Sequence, residues 1–222
     1  MSVRVALIGL GDIARKAYLP VLAADPEIEP VLVTRNHAVR DELSRAWRVP
    51  EAYEQVKEAA TADVDAAFVH AATPAHPSVV SVLLDAGIPT LVDKPLADSY
   101  DAAARLVDLS ERRRASLMVG FNRRYAPGYR EVLGWPDRDL VLLQKHRRNL
   151  PDTPRKVIFD DFIHVLDTLR FAVGDDQEVD VGSRTEGARL HRVFVRLRDG
   201  SRLGLGAMDR DSGTTQEVLE VT

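Results

Sequence analysis

Val3-Arg4-Val5-Ala6-Leu7-Ile8-Gly9-Leu10-Gly11-Asp12-Ile13-Ala14, at the start of the chain, decides the reading of its fold. The run from Val3 to Gly9 is almost wholly apolar, which suits a strand buried on both faces of a parallel sheet. A glycine turn follows at once. Gly9 to Ala14 reads G-x-G-x-x-A and leads into a helical stretch through Leu22, the setting a dinucleotide-binding fingerprint requires. Gly9 permits the tight turn, Gly11 lets the backbone approach a pyrophosphate, and Ala14 allows close packing of helix on strand. Asp12 and Ile13 fill the variable positions where the helix N-terminus attracts the anion. An ordinary strand-to-helix turn shares this spacing, so the flanking pattern carries the reading as much as the glycines do.

Outward from this stretch, helices and strands alternate. Glu29 to Val33, Asp65 to Ala72, Pro89 to Val92 and Ser116 to Val119 read as strands, while His37 to Trp47, His76 to Ala86 and Asp98 to Arg112 read as helices. The alternation predicts a doubly wound α/β sheet, a Rossmann-type dinucleotide-binding domain over residues 1–121. In the last helix Ala102, Leu106, Val107 and Leu109 form the expected core stripe. The second strand ends in Thr34-Arg35-Asn36, where NAD-binding chains often place an acidic residue against the ribose hydroxyls. Arg35 can instead pair with a 2′-phosphate, and Thr34 and Asn36 can donate hydrogen bonds to it, so the sequence favours NADP over NAD.

Beyond residue 121 the pattern changes to strands around one helix. Leu140 to Lys145, Val179 to Ser183, Leu190 to Leu197, Leu203 to Ala207 and Val218 to Val221 are strand candidates, with Asp199-Gly200 as a hairpin turn. Residues 122–222 therefore read as a smaller α+β domain with a mainly antiparallel open sheet. Val193, Val195 and Leu197 share one face, and an apolar opposite face predicts a homo-oligomer, most simply a dimer.

Composition excludes several functions. With 222 residues, 45% of them hydrophobic, the chain can bury a sizeable core. Its net charge of −4, with both signs interspersed, offers no basic field for nucleic acid. It has no cysteine, so thiolate nucleophiles and cysteine-ligated metals are excluded. No segment approaches the roughly 20 apolar residues of a membrane span, and no leader is evident, which predicts a soluble, cytoplasmic protein without a membrane partner.

A series of motifs then resembles the Gfo/Idh/MocA oxidoreductase family: Gly9 to Ala14, Thr73-Pro74 followed by His76, Asp93-Lys94-Pro95, Gly120-Phe121-Asn122-Arg123-Arg124, and Asp160 with His164. The resemblance implies a substrate held between the nicotinamide and the face of an open sheet. It places Thr73, Pro74, Asp93 and Lys94 beside the cofactor, and His76 either there or in a structural role at the start of a helix. Asp93-Lys94-Pro95 corresponds to the family's E-K-P signature with aspartate for glutamate. Lys94 would hold a substrate oxygen and stabilise developing negative charge there.

Asp160, His164 and Asp167 fall on one stripe if Val157 to Val173 is helical. Interconversion of a carbonyl and an alcohol needs a proton donor or acceptor in step with the hydride, and histidine titrates in the useful range. His164 is the expected general acid/base. By resemblance Asp160 helps bind the small-molecule substrate, completing a catalytic set of Lys94, Asp160 and His164, with Asp167 a weaker candidate for orienting the histidine. D-x-x-x-H also suits metal ligation, but no third ligand is evident and no metal is expected.

Two departures from the family stand out. Arg155-Lys156-Val157-Ile158-Phe159 precedes Asp160 where relatives carry glycines, implying a bulkier and more basic pocket floor. The second domain is also short relative to the family, which implies a pocket that is either incomplete or completed by a partner subunit. The expected reaction is hydride transfer at a hydroxyl or carbonyl carbon of a sugar, cyclitol or related polyol. A non-catalytic NADP(H) sensor or scaffold, and an imine or enone reductase, are the alternatives.

Overall fold

The computed structural model describes residues 2–136, 138–174 and 178–222. The chain divides into two compact units, Met1–Gly120 and Phe121–Thr222. The first contains β1 (Val3–Ile8), β2 (Ile28–Val33), β3 (Ala52–Tyr53), β4 (Ala66–Val69), β5 (Thr90–Val92) and β6 (Leu117–Val119). They form one sheet in the order β3-β2-β1-β4-β5-β6, with every neighbouring pair parallel. This is the Rossmann strand order, which reverses between β1 and β4 and opens a crevice beyond the carboxyl ends of the strands there.

The apolar run of β1 is explained by its two neighbours. Val5 and Leu7 pack with Leu19, Leu22 and Leu43 in one layer, and Ala6 and Ile8 with Val80, Leu83, Leu84 and Leu106 in the other. Both faces of the strand are dry, so alternation with polar residues would be penalised. The helix His37–Trp47 starts where the Asn36 side chain accepts from the Val39 amide at 3.2 Å, and Ser99 caps Tyr100–Arg113 in the same way at 3.3 Å. On that second helix Val107, expected in the core, is 44% exposed, while Leu106 is buried. The two-residue β3 and the helix Val56–Ala59 were not anticipated, being too short for a periodic signal.

The second unit holds β7 (Leu140–His146), β8 (Glu178–Glu186), β9 (Arg189–Asp199), β10 (Arg202–Asp209) and β11 (Gln216–Val221). Their order is β11-β7-β10-β9-β8, antiparallel except for the β10 and β7 pair. One continuous helical stretch, 154–173, lies on this sheet with an α-helical first turn, a π-helical segment Val157–Phe162 and the α-helix Ile163–Val173. Phe162, Val165, Leu169 and Ala172 pack on Val141, Leu143, Val193, Val195, Leu197 and Met208. A Cβ on Gly206 would stand 2.5 Å from Val165 Cγ1, and one on Gly204 2.8 Å from Val173 Cγ2, so this close seat requires glycine in β10.

Two details differ from the sequence reading. Asp199 is paired with Arg202, so the β9–β10 turn is Gly200-Ser201, with Gly200 at φ 57°. The sheet face away from the helix is mixed, not apolar: β9 presents Arg192, Phe194, Arg196 and Arg198 there, beside the half-exposed Leu205 and Val218. Among the described residues no helix is long and apolar enough to cross a membrane.

Candidate functional site

A groove of about 610 Å³ lies at the carboxyl ends of β1, β2 and β4, lined by Gly9, Val33, Thr34, Arg35, Asn36, Glu54, Ala71, Ala72, Ala75 and Ser78 among others. Gly9 sits at φ 86°, and a Cβ there would meet the Ala71 amide nitrogen at 2.6 Å. Its own amide donates to Val33 O at 3.0 Å, and the His70 amide donates to Ile8 O at 2.7 Å, so the β1 end is tied to both neighbours. Gly11 is different: a Cβ there meets no described atom within 4 Å, leaving its backbone open to a ligand. The helical stretch 12–22 begins directly after it, with Ala14 fully buried and Asp12 and Ile13 exposed. This open backbone, next to a helix start and a groove of nucleotide size, fits a dinucleotide.

The ends of the groove refine the expected contacts. Arg35 is exposed and lines it, whereas Asn36 spends its side-chain oxygen on the helix cap. The groove wall comes from Ala71, Ala72, Ala75 and Ser78, around Thr73-Pro74, which form a 3₁₀ turn. His76 is not turned to this surface. Its ring is buried at 1% exposure, with Nδ1 2.8 Å from Pro95 O and Nε2 2.8 Å from Ala71 O. The half-buried Lys94 follows β5 in a turn whose Lys94–Pro95 bond is cis. Asp93 is held by His70, Nδ1 to Oδ2 at 2.9 Å. Burial, and then the Asp93 charge, raise the neighbouring Tyr18 hydroxyl above its usual pKa.

In the second unit Asp160 and His164 both lie on the stretch 154–173, but the π-helical segment changes their angular spacing from the uniform α-helical stripe. Asp160 is exposed and His164 half-buried. Asp167 is buried, and its carboxylate is engaged by Arg124, whose Nε lies 2.9 Å from Oδ2. It is Asp161, absent from the sequence reading, that gathers charge. It accepts from Lys145 at 2.7 Å, from Arg147 through both oxygens at 2.8 Å, and from Arg210 at 2.7 Å. Burial pushes the Asp161 carboxyl up, but the Lys145 and Arg147 bonds outweigh it and hold it below the usual range.

A second knot adjoins the first. Glu217 on β11 accepts from Arg123 at 2.7 Å and from the Tyr129 hydroxyl at 2.7 Å. Burial opposes its ionisation, yet these bonds and the nearby Lys145 charge bring it down to about 2. Burial and the same carboxylate push the Tyr129 hydroxyl up to about 12.

The chain is similar to known proteins in both sequence and fold. A family model, Gfo/Idh/MocA, described as an oxidoreductase family with an NAD-binding Rossmann fold, fits residues 3–121. The crystal structure of a Gfo/Idh/MocA family oxidoreductase from Vibrio cholerae is 38% identical with a TM-score of 0.94, covering all of this chain and 73% of that one. The chain belongs to the Gfo/Idh/MocA family. Putative oxidoreductase YceM of Salmonella typhimurium is 38% identical over 190 residues, 82% of this chain and 60% of its own length. Myo-inositol dehydrogenase Hyg17 of Streptomyces leeuwenhoekii is 33% identical over 181 residues, 77% of this chain and 55% of its own. The chain thus matches between 55% and 60% of the length of these curated relatives.

Within the family frame, sequence reasoning found the groove and the D-x-x-x-H helix but missed the groups that brace them. His70, Lys145, Arg147, Asp161, Arg210 and Glu217 lie outside its motifs. One signal was present: Lys145-His146-Arg147-Arg148 follows the apolar body Leu140 to Leu143 of a strand, and a lysine in register with Val141 and Leu143 must find a buried partner.

Proposed function

We propose that this chain forms the hydride-transfer core of a nicotinamide-dependent oxidoreductase acting on a hydroxyl or carbonyl carbon of a small polar substrate, a cyclitol, sugar or related polyol. The observation that carries it is the groove at Gly9, walled by Ala71 and Ala72 and lined by Thr34 and Arg35, with open space beside Gly11 at the helix start. A bound nicotinamide supplies or accepts the hydride. Gly11 and the helix start at residue 12 bind the pyrophosphate. Lys94 holds the substrate oxygen and stabilises charge developing on it. His164 gives up or takes the hydroxyl proton, and Asp160 hydrogen-bonds the substrate. The kinship with a myo-inositol dehydrogenase supports polyols as the first compounds to screen.

For the cofactor we propose NADP(H), with Arg35 pairing the 2′-phosphate. Glu54, also on the groove wall, supports a second reading in which its carboxylate favours the free ribose of NAD(H). Calorimetric titration with both cofactors decides between them. Tighter NADP(H) binding that falls about tenfold in Arg35→Ala, with NAD(H) unchanged, supports the first; a preference for NAD(H) that is lost in Glu54→Gln supports the second. A folded protein that binds neither overturns the oxidoreductase reading. His164→Ala is expected to slow turnover on the polyol while sparing cofactor affinity.

The same reading carries a homodimer through the outer sheet face. Phe194, Leu205 and Val218 stand exposed on it, interspersed with the Arg192–Asp209 and Arg196–Asp180 ion pairs, groups that the same face of a second copy would cover. Sedimentation velocity is expected to give a dimer that Phe194→Glu dissociates; a monomeric wild-type protein defeats the proposal.

A further inference from the structure

The Asp93-Lys94-Pro95 turn is gripped on both sides by buried histidines. His70 follows β4, and its side chain is wholly buried, with Nδ1 on Asp93 Oδ2 at 2.9 Å. His76 begins the next helix, with Nδ1 2.8 Å from Pro95 O. Lys94 lies between the two anchored residues. The Asp93 amide also donates to Val69 O at 2.9 Å, so backbone and side chain of Asp93 are both tied to the end of β4.

The chemistry of His70 indicates why a histidine stands there. An ionised carboxylate only accepts, so Nδ1 is the donor, and a neutral ring then carries no proton on Nε2. That Nε2 is buried without a hydrogen-bond partner among the described residues, packed under the Tyr18 ring at a centroid distance of 4.1 Å. A buried polar atom left unmet is destabilising, and an apolar side chain of similar size would avoid the cost. What such a side chain could not supply is the bond to Asp93. Aspartate is one methylene shorter than the glutamate of the family's E-K-P signature, and the donor that reaches it comes from the neighbouring strand.

The segment that makes these bonds also walls the nucleotide groove. Ala71, whose carbonyl faces His76 Nε2 at 2.8 Å, adjoins His70 and lines the groove with Ala72 and Ala75. Cofactor wall and lysine turn are therefore one hydrogen-bonded piece. We propose that His70, supported by His76, is a positioning residue that locks Lys94 to the cofactor wall through Asp93. This inference rests on the role given to Lys94 above.

The tests of the positioning role itself need no known substrate. In the wild-type protein, nitrogen-15 NMR of the imidazoles is expected to show His70 protonated on Nδ1; an Nε2-protonated tautomer would overturn the proposal. His70→Phe keeps the ring and its packing on Tyr18 but removes the donor, whereas His70→Asn places an amide nitrogen close to where Nδ1 stood. Labelling of Lys94 by pyridoxal 5′-phosphate and borohydride, followed by mass spectrometry, is expected to change about fivefold or more in His70→Phe and to return within about twofold of wild type in His70→Asn. Equal rates in all three proteins overturn the proposal, as do crystal structures in which Lys94 Nζ keeps its place without the histidine. Lys94→Ala separates the two claims. If it still turns over a polyol, the role of Lys94 fails; if it is inactive while His70→Phe leaves Lys94 in place, only the positioning role of His70 fails.

Discussion

The nucleotide groove of the first unit and the helix face of the second both hold chemistry-bearing atoms still, by opposite means. In the groove the work is done by backbone and by the smallest side chains, Gly9, Ala71 and Ala72. On the helix face it is done by full charges: Asp161 joins Lys145, Arg147 and Arg210, and Glu217 joins Arg123 and Tyr129. A backbone cradle fails when something intrudes on it and is indifferent to pH. A charge network fails when one member is removed, because its partners stay buried without compensation, and it answers to acid.

The sharpest test of this contrast is Asp161→Ala. It leaves Lys145, with a side chain 2% exposed, and Arg210, 7% exposed, facing a missing partner. A loss of about 4 kcal/mol in urea unfolding at neutral pH is expected; a change below about 1 kcal/mol would mean that the network is solvated and structurally idle. Next comes Gly9→Ala, which combines a left-handed φ with a Cβ 2.6 Å from the Ala71 amide. About 3 kcal/mol of stability should be lost by the same measurement, with no dependence on pH between 4 and 8.

Glu217→Gln should be milder, about 2 kcal/mol at neutral pH, since the amide oxygen can still accept from Arg123. Its signature is in acid. The folded carboxyl lies at about 2 against an ordinary 4.5, so its contribution is complete above 4.5 and is lost as the pH falls toward 2. The stability gap between wild type and variant should therefore close over that interval; a gap that stays constant would remove Glu217 as its source. The smallest effect belongs to Gly11→Ala. With open space around the new methyl group, stability should stay within about 0.5 kcal/mol, while dinucleotide affinity measured by calorimetry falls.

The same contrast explains what the sequence could disclose. Gly9, Gly11 and Ala14 are close in the chain, and their geometry follows from the local turn, so the motif and its place in the fold could be read together. The alternation of strands and helices, and the boundaries of His37–Trp47, followed from periodicity alone. Asp161 could not be found in that way. Its partners stand 14 to 49 residues away, and Arg123 and Glu217 are 94 apart. Asp160 drew attention because it fits a motif, yet the π-helical segment leaves it exposed and turns Asp161 toward Lys145. The mixed outer face was misjudged for a simpler reason. Alternation in Arg192 to Arg198 identifies the buried side, but it does not fix what the other side must be.

β7 lies between two strands that come much later in the chain, β10 and β11. During synthesis it emerges before either neighbour exists, while β8, β9 and β10 can zip together locally through their short turns. For that interval β7 has two bare edges and an apolar body, Leu140-Val141-Leu142-Leu143, of the kind that invites stray pairing between nascent chains. Lys145 is then a solvated charge near the end of the strand, a gatekeeper against such pairing. In the finished sheet the same residue is the one that Asp161 anchors in the interior.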